Sequence, residues 1–189
     1  MLSRKTIRFF ILLLAVAMGR GLFAATGEDK PKPPPLTLKR LLSAGEIRDL
    51  FGKKVRAADL GDRAAVVAFW DGMCASCAEE TQPLNALQEK GDPKQLRIVG
   101  ITVTTPPEEA RKFAREHRVK YPLFVAERRL AKVGEVVLLP TVLVFDHNGK
   151  LVSRLVGAQS ESRLAEAVKA ALPAPQPTAP PDDAQRKER

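Results

Sequence analysis

The sequence predicts an α/β domain built on one mixed sheet with helices on both faces. Three stretches carry that prediction. "AAVVAFW" (64–70), "CAEETQPLNALQEK" (77–90) and "LRIVGITV" (96–103) read as strand, helix, strand. That order calls for two parallel strands joined by a right-handed crossover. "TVLVFDHNGKLVSRLVG" reads as two strands around Asn148-Gly149, the strongest short hairpin signal. "SESRLAEAVKAAL" repeats apolar residues at helical spacing. A parallel βαβ half is thereby joined to an antiparallel ββα half.

The elements follow in order. "SAGEIRDLFGKKVRAADL" suggests a short helix stopped by Gly52 and then a short strand. "AAVVAFW" is short, apolar and β-branched, as a buried strand is. In the helix after it, Thr81, Leu84 and Leu87 share one side, and Gly91-Asp92-Pro93 ends it. "TPPEEARKFAREH" opens as a capping box from Thr105 to Glu108, with Pro106 at the first helical position and Ala110, Phe113 and Ala114 inward. The last helix takes Ser160 as N-cap and buries Leu164, Ala165, Val168, Ala171 and Leu172.

This domain spans residues 37–172 of 189, enough for one sizeable core and too little for two. Ahead of it, residues 1–25 show basic residues at 4, 5 and 8, an apolar run from Phe9 to Met18, then small residues. That is the order of a secretory signal peptide. The run is about half of the ~20 residues a spanning helix needs, and an uncleaved anchor is the rival reading. Residues 26–36 form a proline-rich linker, stiff where "KPKPPPL" stands, and residues 173–189 a tail of proline and charge with no apolar period. The net charge is +9, but basic residues in the domain are mixed with acids and form no stripe interleaved with aromatics. No nucleic-acid partner is expected.

The chain has two cysteines, Cys74 and Cys77, two residues apart. Three chemistries fit such a pair: a structural disulfide, half of a metal site, or a dithiol that switches redox state. A structural bridge over so small a loop removes little unfolded-state entropy. Zinc needs about four ligands, and neither His117 nor His147 stands at ligand spacing. The strand–helix junction favours the third. Cys74 falls at the helix start, where free N–H groups and the helix dipole support a thiolate, and Cys77 falls one turn deeper.

With these residues in place, the chain resembles the thioredoxin superfamily, and within it the exported TlpA/ResA-type thiol–disulfide oxidoreductases. The resemblance covers about residues 37–172. It rests on "VVAFWDGMCASCAEE", on "LLPTVLVFDHNGKLV", and on the insert "TPPEEARKFAREHRVKYPLFVAERRLAKV" between the halves. It implies a thioredoxin fold, with Cys74 attacking and Cys77 resolving. It implies that Pro140 is cis and faces the dithiol, with substrate contacts at Trp70, Met73, Leu139 and Thr141. Glu80 stands where the family carries a partly buried acid that serves proton traffic; a solvated helix carboxylate is the equal alternative. No cofactor is implied beyond the Cys74–Cys77 disulfide itself. The implied setting is the periplasm, with or without an N-terminal anchor in the inner membrane. The implied partners are disulfide-bearing exported proteins, apocytochrome c among them, and a membrane thiol relay of the DsbD/CcdA kind as reductant.

The chain departs from the family in four places. Met73 replaces the usual Trp, Ser76 the frequent Pro, and Ala68 the buried Asp of thioredoxin; the helix proline, Pro83, stands one place late. Three other readings stand beside this one, among them a dithiol oxidant or isomerase on the same fold. A thioredoxin-like copper-binding chaperone would use the two thiols and recruit His147. A thiol peroxidase needs Thr three residues before its cysteine, where this chain has Asp71.

Overall fold

The computed structural model describes residues 34–60 and 63–173. The segments read as a signal peptide and as a charged tail, and all but the last three residues of the linker, lie outside the described residues. Eleven labelled elements follow in chain order. They are α1 (Leu38–Leu42), β1 (Ile47–Asp49), β2 (Ala64–Phe69), α2 (Ala75–Lys90), β3 (Leu96–Thr102), α3 (Pro107–Glu116), β4 (Leu123–Ala126), α4 (Arg128–Val133), β5 (Thr141–Phe145), β6 (Leu151–Val156) and α5 (Glu161–Ala171). A 3-10 turn at Ala57–Asp59 precedes β2.

The six strands form one sheet in the order β1-β4-β3-β2-β5-β6. β3 runs parallel to β2 and β4 parallel to β3, whereas β5 is antiparallel to β2 and β6 to β5. This is the mixed thioredoxin-like sheet expected. β2 is central and buried at every residue. Its alternate side chains feed two cores. Ala64, Val66, Ala68 and Trp70 pack with Leu84 of α2, Phe113 of α3 and Leu164 of α5. Ala65, Val67 and Phe69 pack with Leu41 of α1 and Leu130 of α4. Period-2 alternation thus puts helices on both faces. The hairpin turns at Gly149, whose φ of +74° suits glycine. Asp146 closes the turn by accepting from the Asn148 and Lys150 N–H groups.

The structure differs from the sequence reading in four places, the first being that the short strand expected after Gly52 is only an isolated bridge at Lys54 and a 3-10 turn at Ala57–Asp59. The helix expected over residues 43–52 is a strand, β1, paired antiparallel to β4. Asp49 accepts hydrogen bonds from the N–H groups of Phe51 and Lys53, at 2.9 Å each, and so folds the chain back on itself. Gly52, with φ of +86°, supplies the bend in place of a helix stop. The capping box does not form: Pro106 is the N-cap of α3 and no side chain bonds there, because the Thr105 hydroxyl is engaged elsewhere. In α5, Ser160 caps as expected, but Ala167 and not Ala165 faces the core. Among the described residues, no helix is long and apolar enough to cross a membrane.

Candidate active site

The site forms where β2 ends. The Trp70 N–H bonds the Ile101 carbonyl at 3.1 Å, which keeps the chain in register with β3 for one more residue. Residues 71–74 then turn, closed by the Cys74 N–H on the Asp71 carbonyl at 3.2 Å. Cys74 is the N-cap of α2, and its sulfur accepts from the Cys77 N–H at 3.2 Å. The Ser76 Oγ lies 3.4 Å from the same sulfur. The two cysteines are disulfide-bonded, with Cα atoms 5.2 Å apart. Cys74 is half-buried, whereas Cys77 is 4% exposed. The pair is therefore asymmetric: one sulfur sits at a helix start within reach of solvent, and the other is walled in by the core.

Glu80 follows Cys77 by one turn and is 2% exposed. It accepts one hydrogen bond, from the Gln159 N–H on the β6–α5 loop, at 3.1 Å. Burial raises its carboxyl to about 7, and that single donor offsets only part of the cost. This is the buried alternative of the two weighed from sequence. Behind it, the Thr81 hydroxyl donates to the Cys77 carbonyl at 3.3 Å. Burial first, and the charge of Glu80 as well, push the Tyr121 phenol upward.

Pro140 enters β5, and the Leu139-Pro140 bond is cis. Thr141 pairs with Phe69, the last residue of β2, so Pro140 stands at the same end of the sheet as the dithiol. Just before it, Val137, Leu138 and Leu139 are 84%, 63% and 37% exposed, and Met73 is 92% exposed. Exposed aliphatics in one loop are costly on a lone surface. They border a groove of about 390 Å3 lined by Phe69, Ile101, Val103, Val136 and Leu139.

Two of the expected contact residues have buried side chains. Trp70 is 5% exposed and stacks on Phe113, with ring centroids 4.5 Å apart. Thr141 is 1% exposed and gives its hydroxyl to the Leu138 carbonyl at 2.6 Å. Trp70 lines the groove wall, and Thr141 holds the loop before β5. His147 lies on the β5–β6 turn, at the opposite end of β5 from Pro140.

Sequence reasoning missed the surroundings of the turn. The Thr104 hydroxyl donates to the Asp71 carboxylate, and the Thr105 hydroxyl does so at 3.2 Å. The Gly72 N–H in turn donates to Thr105 Oγ1 at 2.9 Å. No local pattern signals such contacts, which join residues 33 or 34 apart.

The model of the AhpC/TSA family matches residues 34–154. A thiol-disulfide oxidoreductase ResA of Bacillus cereus is 26% identical over 164 residues, which make up 86% of this chain and 93% of that protein. ResA of Bacillus subtilis is 27% identical over 120 residues, 62% of this chain and 66% of its own. Among solved structures, a putative thiol:disulfide interchange protein DsbE from Chlorobium tepidum superposes with a TM-score of 0.61 at 21% identity, over 67% of this chain and 91% of that one. A secreted Mycobacterium tuberculosis disulfide oxidoreductase, described as homologous to E. coli DsbE, gives 0.60 at 21% identity, over 70% and 98%. These two structures share the fold.

Proposed function

Since the chain belongs to the AhpC/TSA family and is a thiol–disulfide oxidoreductase similar to ResA, we propose that it is exported to the periplasm and there reduces disulfides of other exported proteins. The asymmetry of the cysteine pair carries this reading: Cys74 is half-buried at a helix N-cap and Cys77 is 4% exposed. In the reduced form the Cys74 thiolate attacks a partner disulfide. One partner sulfur leaves as a thiolate and the other is held in a mixed disulfide. Cys77 then attacks the Cys74 sulfur, closes the intramolecular disulfide and releases the second partner sulfur. Two electrons pass to the partner. Glu80, poised near pH 7 by burial, takes the Cys77 proton in the second step and returns it to the leaving thiolate.

Met73, Leu139 and cis Pro140 form the docking surface, with the partner lying across the exposed loop before β5. Apocytochrome c, whose haem-site thiols must be reduced, suits such a reductant, and a membrane thiol relay of the DsbD/CcdA kind would recharge Cys74–Cys77. The basic, apolar, small-residue order of residues 1–25 supports export.

Reduced protein is mixed with oxidised apocytochrome c, and the thiols released are counted. Cys77→Ser should trap a mixed disulfide through Cys74, and Cys74→Ser should abolish both trapping and turnover. Trapping by the Cys74→Ser variant and not by Cys77→Ser would reverse the assignment. No thiol release by wild type would sink the reading for this partner.

A further inference from the structure

A carboxylate sits at the start of the redox turn, and its hydrogen bonds fix it in place. Asp71 Oδ1 accepts from the Met73 N–H at 2.9 Å. Its other oxygen takes the Thr104 and Thr105 hydroxyls. Thr105 also accepts from Gly72, so one threonine grips two successive residues of the turn. A Cβ on Gly72 would meet the Thr105 methyl at 3.0 Å, which shows how closely the turn lies on the β3–α3 loop. The Asp71 carbonyl to Cys74 N–H bond of 3.2 Å makes residues 71–74 a β-turn, with ends within about 7 Å. A group so held cannot swing away from the turn that carries Cys74.

We propose that Asp71 is a positioning residue for the attacking thiol, latching the redox turn to the β3–α3 loop and keeping a negative charge beside Cys74 that opposes its ionisation. The inference rests on reading Cys74–Cys77 as a redox dithiol. Reduction of the disulfide takes two electrons and two protons and yields two thiols. Only the later loss of a proton from Cys74 feels the carboxylate. A nearby anion destabilises the thiolate and leaves disulfide and thiol alone, so it tilts the couple toward disulfide and makes the dithiol a stronger reductant.

This opposes the pull of the α2 start and of the Ser76 hydroxyl. Burial works against the Asp71 charge, but the Thr104, Met73 and Thr105 donors outweigh it and hold the carboxyl below its ordinary range. No charged side chain enters that balance. The other carboxyls on the elements that meet at the turn are Glu79, exposed, and Glu80, buried, on α2, and Glu108 and Glu109, exposed at the start of α3. At the separation a β-turn allows, and with screening close to that of water, neutralising Asp71 should raise the Cys74 thiolate population about three- to fivefold.

The test uses the full chain, reduced, and follows iodoacetamide addition to Cys74 across pH for wild type, Asp71→Asn, Asp71→Ser and Thr105→Val. Both Asp71 variants should raise the thiol's acid dissociation constant by that factor, with the shift shrinking in high salt. Thr105→Val keeps the charge and should move it less. Equilibration with dithiothreitol above the thiol pKa should find the Asp71 variants less reducing by the same factor, about 14 to 21 mV for a two-electron couple. An unchanged or raised pKa in both Asp71 variants overturns the proposal, as does an equal shift in Thr105→Val. The two Asp71 replacements guard against one that does not fold. Alkylation needs no partner protein, so an inert wild type in the apocytochrome assay would count against the proposed function alone.

Discussion

Replacing Glu80 with glutamine should make the oxidised protein more stable at pH 8 and leave it nearly unchanged at pH 4. The side chain is 2% exposed and receives one hydrogen bond, from Gln159. Its carboxyl rises from 4.5 to about 7 because burial penalises the charged form. Below pH 4.5 the group is protonated whether the chain is folded or not, and costs nothing. Between 4.5 and about 7 the unfolded chain ionises while the folded one keeps its proton, so stability falls as pH rises. Above about 7 both states are ionised and the full penalty stands. At about 1.4 kcal/mol per pH unit the penalty is about 3 kcal/mol, or about 10 °C in Tm for a domain of this size. Glutamine keeps an acceptor for the Gln159 N–H and cannot ionise. Urea unfolding of wild type and Glu80→Gln at pH 4, 6 and 8 reads the difference directly. A gap that does not change with pH, or one that is widest at pH 4, would refute burial as the cause.

Ser76→Pro should make the dithiol more reducing, since the hydroxyl 3.4 Å from the Cys74 sulfur is lost along with an N–H; losing ~1.4 kcal/mol of thiolate stabilisation lowers the potential by about 30 mV, measured against a glutathione buffer. Gly100→Ala should destabilise the fold by about 1–3 kcal/mol, because a Cβ there would lie 2.4 Å from Leu123 Cδ2 and 3.1 Å from Trp70 Nε1; urea midpoints test it. Leu138→Ser should lower kcat/KM toward a protein disulfide severalfold while leaving the reaction with dithiothreitol unchanged, because the side chain is 63% exposed beside the groove.

Strands β2, β3, β5 and β6 and the long helices were legible because each carries its own local pattern. β2 is an unbroken apolar run that ends just before the turn carrying the cysteines, and Asn148-Gly149 marks the β5–β6 hairpin without help from distant residues. The error at residues 43–52 has a local cause. Asp49 and Gly52 form a turn as readily as a helix end, and only the pairing of β1 with β4 decides between them. Thr105 was misread for the opposite reason. As a cap it is locally ideal, but its hydroxyl serves residues 33 and 34 positions earlier. Glu80 stayed undecided because Glu79 beside it looks alike in the sequence. The loop carrying Gln159, 79 residues away, is what covers the one and leaves the other in water. The cysteines were readable from spacing; the residues that tune them are brought in by tertiary contact.

The strand order has a consequence for how the chain assembles. β2 takes its neighbours from β3 and from β5, pairing Phe69 with Ile101 on one side and Thr141 on the other. The second partner arrives late in synthesis, and pairings between segments so far apart are slow to form. For that interval Cys74 and Cys77 lie on a chain whose sheet is half built, open to any oxidant. With no third cysteine in the sequence, the sole bridge available within the chain is the native one. Early oxidation therefore cannot lock a wrong topology, and the hazard left to the folding chain is a bridge to another molecule.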